Sequence, residues 1–259
     1  HPQEWSMWTF WANTVAGNTA IFGGGGGFQD ARGDCGDGGD EFFVENALAL
    51  LDSPNEFFWD ADASKLFFRP NGTLPDADGV VLEMSSLRRV IEVVGNSRDA
   101  PARRITVQNV GVAQTLATHM DAHEVPSGGD WSVTRNAAIF LENVEDVTVT
   151  QCVLTYVMGN GVFISKHAKR VAVTSNEMKY VGSSGVMVVG DPRYDDADPW
   201  NAQATREASP ETITIASNVM SELGIFFKQS SGVFVSIAAD VTVQNNVIFN
   251  CARAGLNAN

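Results

Sequence analysis

The chain has 259 residues, 44% of them hydrophobic, with 31 acidic residues against 17 basic ones and a net charge of −14. That length supports a sizeable core in one large domain, or in one domain with an appendage. The negative field argues against nucleic acid or an anionic membrane surface as partner, and the apolar runs fall short of the roughly 20 residues that a membrane helix needs.

The chain does not begin with Met and shows no signal peptide, so it reads as a piece of a longer, processed protein. Residues 1–85 differ in character from the rest. An aromatic-rich stretch (Trp5, Trp8, Phe10, Trp11) leads into the glycine run Gly23 to Gly27. EFFVENALALLDSP predicts a short helix near 43–52, stopped at Pro54. Glu56 to Pro70 predicts a hairpin around Asp60-Ala61-Asp62. We read this region as a β-rich cap or side domain covering a strand edge. The triplet Asn71-Gly72-Thr73 would suit a secreted, extracellular protein.

From Val90 onward, residues 86–259 read as stacked coils. VTVTQCVLTYVMGNGVFIS from Val147, VAVTSNEMKYVGSSGVMVV from Val171, ITIASNVMSELG from Ile213 and VTVQNNVIFNCARAGLNA from Val241 align without gaps through a dozen positions, and ITVQNVGV from Ile105 is a divergent copy. Val147 and Val171 are 24 residues apart, about one coil of a right-handed parallel β-helix. Each unit opens with a β-branched triplet that alternates in and out. Cys152, Asn176, Asn218 and Asn246 then share a column in which asparagine can bond neighbouring turns and tolerate left-handed φ. Further columns hold Leu154, Met178, Met220 and Ile248, then Val157, Val181, Leu223 and Cys251, then Gly161, Gly185, Gly232 and Gly255. No unit can bury its apolar column alone, but a stack can. Helical architectures fail because no segment here sustains a 3.6-residue period. Three cysteines, Cys35, Cys152 and Cys251, make no disulfide framework or CxxC metal pattern, and those on columns read as core.

Three interruptions of the repeat supply candidate functional surface. Gly111 to Asn136 carries His119, His123, Glu124, Asp130 and Trp131; Gly190 to Pro210 carries DPRYDDADPW; Ile225 to Ser231 carries Lys228 and Gln229. By phase, the first and third emerge at one corner and the second at the other edge of the same sheet. They should wall a groove floored by the third sheet, whose middle column is Phe163, Met187 and Phe234, pointing either outward or into the core. Asp130 beside Trp131 is the candidate acid, since burial against an aromatic raises a carboxyl pKa; its plainer reading is a loop cap after Gly128-Gly129. His119, His123, Trp131, Lys228 and Gln229 are the candidate substrate-binding residues. His119, His123 and Glu124 offer a zinc reading without a further ligand. Asp191, Asp195 and Asp196 are weak calcium candidates, or a solvated loop. No cofactor is expected beyond possible calcium.

FFVENALALLDSPNEFFWD, KLFFRP, HEVPSGGDWS, AIFLENVEDVTVTQC, GIFFKQSSGVFV and VIFNCARAGLNAN occur in the order seen in glycoside hydrolase family 141, which residues 20–259 resemble. The resemblance implies a pectin-lyase-like right-handed β-helix with an inserted β-rich domain, and activities such as α-L-fucosidase action on pectin or xylan cleavage. It also implies that the GGDW and Lys228-Gln229 loops line a groove. Relatives continue past the RAGLNAN-like segment into coils with more acids, so the partner of Asp130 is expected beyond Asn259. VFVSIAAD is plainer than the strand relatives carry there, so substrate specificity does not transfer. Two functions follow: a secreted glycoside hydrolase, or a lyase, acting on a plant or algal polysaccharide, and a non-catalytic structural or carbohydrate-binding protein able to self-associate through coil ends.

Overall fold

Apolar-polar triplets repeated along the chain can bury their apolar side only by lying on one another, and they wind into a right-handed parallel β-helix. A computed structural model describes residues 7, 9–25, 42–72, 83–123, 131–191 and 208–259. The chain divides into two units, His1–Pro2 with Gly36–Met84, and Gln3–Cys35 with Ser85–Asn259.

The coil-containing unit also holds an antiparallel hairpin, β1 (Phe10–Ala16) and β2 (Thr19–Gly25), turning at Gly17 with φ 59°. The other unit holds β3 (Glu56–Asp60) and β4 (Lys65–Arg69), the predicted hairpin. There the Asp60 carboxylate accepts the N–H of Ala63 at 2.9 Å. The predicted helix near 43–52 is instead a single 3-10 turn at Leu48–Leu50. Asn46, at φ 51°, grips both backbone groups of Trp59 with its side-chain amide, at 3.1 and 3.3 Å. The Glu56 carboxylate accepts the N–H groups of Asp52 and Ser53. These side chains satisfy the backbone groups that a helix would otherwise pair.

The coils comprise three parallel sheets. The second sheet stacks β7 (Gly111–Ala113), β9 (Val153–Val157), β11 (Glu177–Val181), β14 (Val219–Leu223) and β17 (Val247–Cys251). The first sheet is formed by β6 (Ala102–Gln108), the later halves of β8 (Ala137–Thr150) and β10 (Asn160–Thr174), β13 (Pro210–Ala216) and β16 (Ala239–Gln244). The third is formed by β5 (Ile91–Val94), the earlier halves of β8 and β10, β12 (Val186–Val189), β15 (Ser231–Ser236) and β18 (Ala254–Ala258). β8 and β10 run through a corner, turning at Asn143 and Lys166 with φ 52° and 50°.

Ile105, Val147, Val171, Ile213 and Val241 share one column, the register that the repeat implies. Leu154, Met178 and Met220 stack with no exposure, and Val157 and Val181 lie beside them. Full burial of each such side chain contributes about 1.5–3 kcal/mol. Cys152, buried and unbridged, fills the same core.

Asparagines form a continuous ladder. The backbone N–H groups of Cys152, Asn176 and Asn218 donate to the Oδ1 of Asn176, Asn218 and Asn246, at 2.9 to 3.0 Å. Their amides donate back to Val149, Val173 and Ile215 carbonyls. The left-handed residue is not the ladder residue but its predecessor, Gln151 before Cys152 and Ser175, Ser217 or Asn245 before the asparagines, at φ 54° to 58°. That bend aims the amide inward along the stack. On the first sheet, Arg103, Glu145, Lys169 and Glu211 alternate in sign up one column, so neighbouring coils attract.

The middle column of the third sheet points outward. Phe140, Phe163, Met187 and Phe234 form a second cluster with Trp131 and Val133, separate from the central core. They are nonetheless at most 3% exposed. The guanidinium of Arg89 lies 3.7 Å over the Phe140 ring and that of Arg135 lies 5.6 Å over Phe163. Of the two orientations left open by the sequence, the outward one holds, but the column is roofed rather than an open apolar floor.

Candidate functional site

The first and third interruptions meet. Ser132 donates its backbone N–H to the carbonyl of Gln229 at 2.8 Å. The His119 ring stacks on Phe226 at 5.0 Å, with planes 16° apart, and His123 packs on Phe227 at 4.8 Å. The phenylalanines are placed by their own backbone, since the N–H groups of Phe226 and Phe227 both donate to the Gly182 carbonyl. Gly182 must be glycine, because a Cβ there would lie 2.5 Å from the Met158 carbonyl oxygen. The corner is lined by Thr118, His119, His123, Ser132, Ser183 and Phe227, among others.

The other side of this segment is pinned by charge. Arg88 holds the Asp121 carboxylate through two bonds of 2.7 and 2.9 Å, and Asn136 donates to the same carboxylate. Asn136 in turn accepts from Arg89 at 3.0 Å. Burial lowers the His123 pKa to about 4, outweighing the raising influence of Asp121, and the nearby His119 adds a smaller push downward. The imidazole is therefore neutral at pH 7, able to accept a proton or a hydroxyl hydrogen bond. Among the described residues, the hydroxyls of Ser132 and Ser183 are buried here without a hydrogen-bond partner.

Each predicted residue has a definite place or falls outside the described set. Trp131 is 8% exposed and packs between Phe234, at 5.7 Å, and the Arg253 guanidinium, at 4.0 Å. Gln229 is buried, and its amide makes two 3.2 Å bonds with the backbone of Met7. Lys228 is half-buried, and its carbonyl accepts the Ser230 N–H. Asp191 is buried, its N–H bonded to the Ala208 carbonyl at 3.2 Å. Asp130, Glu124, Asp195 and Asp196 lie outside the described residues. Among the described residues, no group of three or more His, Cys, Asp or Glu is placed to hold a metal ion.

Sequence reasoning missed Arg135. It donates to Ser165 Oγ at 2.9 Å and to the carbonyls of Val189 at 3.2 Å and Gly190 at 2.5 Å, so it ties the first interruption to the start of the second. A single arginine in a loop follows no periodicity, and only its position over Phe163 reveals the role. The pairing of Phe226 and Phe227 with the two histidines was also missed, although all four were visible as aromatic residues in the two facing loops.

A family model described as "Right handed beta helix region" matches residues 137–259. A search of curated proteins returns no match. A solved structure named "Glycoside hydrolase" aligns with 80% of this chain at a TM-score of 0.62 and 16% identity, and the chain spans 39% of its length. At that identity the likeness is one of fold.

Proposed function

We propose that this β-helix acts on a polysaccharide as a secreted glycoside hydrolase, with its substrate held at the corner where the first and third interruptions meet. The observation that carries this reading is the Ser132–Gln229 bond with the two histidine–phenylalanine stacks, which assembles polar side chains from distant segments over a rigid scaffold. Asp130, next in sequence to Trp131, is the proposed acid, and the neutral His123 with His119 and Lys228 would contact sugar hydroxyls. The likeness in fold to a protein named as a glycoside hydrolase supports the same reading. Trp131 and Gln229, both packed, would position the loop from beneath rather than touch sugar. Calcium bound by Asp191, Asp195 and Asp196 remains part of the proposal as a loop-ordering ion.

The test is incubation of the full-length protein with fucose-, xylose- and uronate-containing polysaccharides of plant and algal origin. Release of reducing sugar supports hydrolysis, and unsaturated ends would mark a lyase. Binding without products would assign the non-catalytic reading, which the close packing of Trp131 and Gln229 favours. Neither binding nor release across the panel would end the carbohydrate proposal.

A further inference from the structure

Gln229 is used twice at the corner. Its carbonyl accepts the Ser132 N–H, and its side-chain amide donates to the Met7 carbonyl and accepts the Met7 N–H, both at 3.2 Å. The amide stands in for a strand partner and fixes the N-terminal segment to the third interruption. Trp11 follows Met7 by four residues, a length of chain that reaches about 14 Å at most. The β1–β2 hairpin is therefore held close to the corner.

No residue of that hairpin belongs to either apolar cluster of the coils. It nonetheless carries Trp11, Val15, Ile21 and Phe22 at 58% to 70% exposure. Contiguous apolar surface of this kind marks a binding site. The register singles out Trp11. Phe10 pairs with Gly25 and Ala12 with Phe22, so Trp11 faces two residues, Gly23 and Gly24. Such a bulge re-aims the side chain on it. A Cβ at Gly23 would collide with the Asn13 amide, and one at Gly24 would lie 3.9 Å from the indole Cδ1. The two glycines leave the ring bare and let the amide lie across the backbone beside it. Phe10 and Phe22 brace the two strands by stacking at 5.4 Å.

We propose that the β1–β2 hairpin is a binding arm for an uncharged stretch of polysaccharide, which stacks on Trp11 while the same polymer continues into the corner. This inference rests on the carbohydrate reading of the corner and deepens it by selecting neutral polymers. Residues 10–25 include no Asp, Glu, Lys, Arg or His, in a chain of net charge −14. A polyuronate would meet that negative field with no cation on the arm to offset it, and an anionic membrane would be repelled in the same way. A sugar ring has an apolar C–H face and a rim of hydroxyls. The bare indole suits the face, and the exposed Asn13, Thr14, Asn18 and Thr19 suit the rim. Contact at both arm and corner makes the second binding event intramolecular, which raises affinity for long chains.

The test is affinity electrophoresis of the full-length protein through gels containing xyloglucan, arabinoxylan or galactomannan, which are uncharged, or polygalacturonate, which is anionic. At least one neutral polymer should retard the wild type, and polygalacturonate should not. Trp11→Ala should weaken that binding about tenfold and Trp11→Phe should retain most of it. Neither change should lower the melting temperature, since the indole is 59% exposed. His119→Ala reads the corner separately. Retardation that His119→Ala removes and Trp11→Ala leaves intact would overturn the arm while the corner reading stands. No retardation of the wild type by any polymer would end both. Polygalacturonate binding as strong as that of the neutral polymers would overturn the arm, and so would a lower melting temperature in Trp11→Ala. A dimer that Trp11→Ala dissociates without loss of polymer binding would overturn it as well, by making a second copy the occupant.

Discussion

Asn218 accepts two hydrogen bonds from Asn176 through one oxygen: the backbone N–H at 3.0 Å and the side-chain amide at 2.9 Å, across 42 residues of sequence. Asn218 is fully buried, so no water replaces these bonds if its side chain is lost. Asn218→Leu should cost about 3 kcal/mol, since it orphans the Asn176 donors and the Val173 carbonyl together. Chemical denaturation reads this directly, and a loss below about 1 kcal/mol would mean the ladder contributes little.

The ladder's first member is Cys152, whose sulfur makes weak contacts with the Val107 carbonyl at 3.7 Å and the Thr150 carbonyl at 3.3 Å. Cys152→Asn should extend the ladder, donating to Val107 and accepting the Val110 N–H, and stabilise the fold by about 1 kcal/mol. Destabilisation in the same assay would show that this column admits no larger group there.

Leu154 is fully buried between Val112 and Met178 in the second sheet. Leu154→Ala should cost about 2–5 kcal/mol, through lost burial and the cavity left in a stacked column. Calorimetry should show the melting point falling by several degrees.

His123 makes stability depend on pH. Its folded pKa, lowered by burial to about 4, lies below the ordinary histidine value of 6.5, so the unfolded chain binds the proton first. Stability is complete above pH 6.5, falls as pH drops from 6.5 to 4, and changes no further from this group below that. The loss amounts to about 3 kcal/mol at most. Urea titrations across that window should show a slope that His123→Gln removes; an unchanged slope would place the histidine in water.

If Asp130 transfers a proton in the proposed reaction, Asp130→Asn should lower activity by orders of magnitude and leave thermal unfolding nearly unchanged. A large drop in melting temperature would make it a loop cap instead.

How much of this was legible depended on repetition. The columns Val147–Val171–Ile213–Val241 and Leu154–Met178–Met220 were visible because each coil must present the same residue type at the same place to bury it. The helix near 43–52 was misread because its apolar spacing resembled a helix, while the competing bonds came from Asn46 and Glu56, whose partners sequence does not show. The site was half visible: phase brought the first and third interruptions to one corner, but could not say which side chains touch.

What the sequence by itself determined is the stacking register, the asparagine ladder and the glycine column, because these are local requirements repeated coil after coil. What only the tertiary structure decided is the outward yet covered position of Phe163, Met187 and Phe234, the left-handed bend before each ladder asparagine, and the bridge made by Arg135. In a strand with apolar residues on both faces, alternation carries no sign of which face is the core. That choice is made by what packs on the other side, here Trp131 and the guanidinium of Arg135, delivered by loops that follow no period.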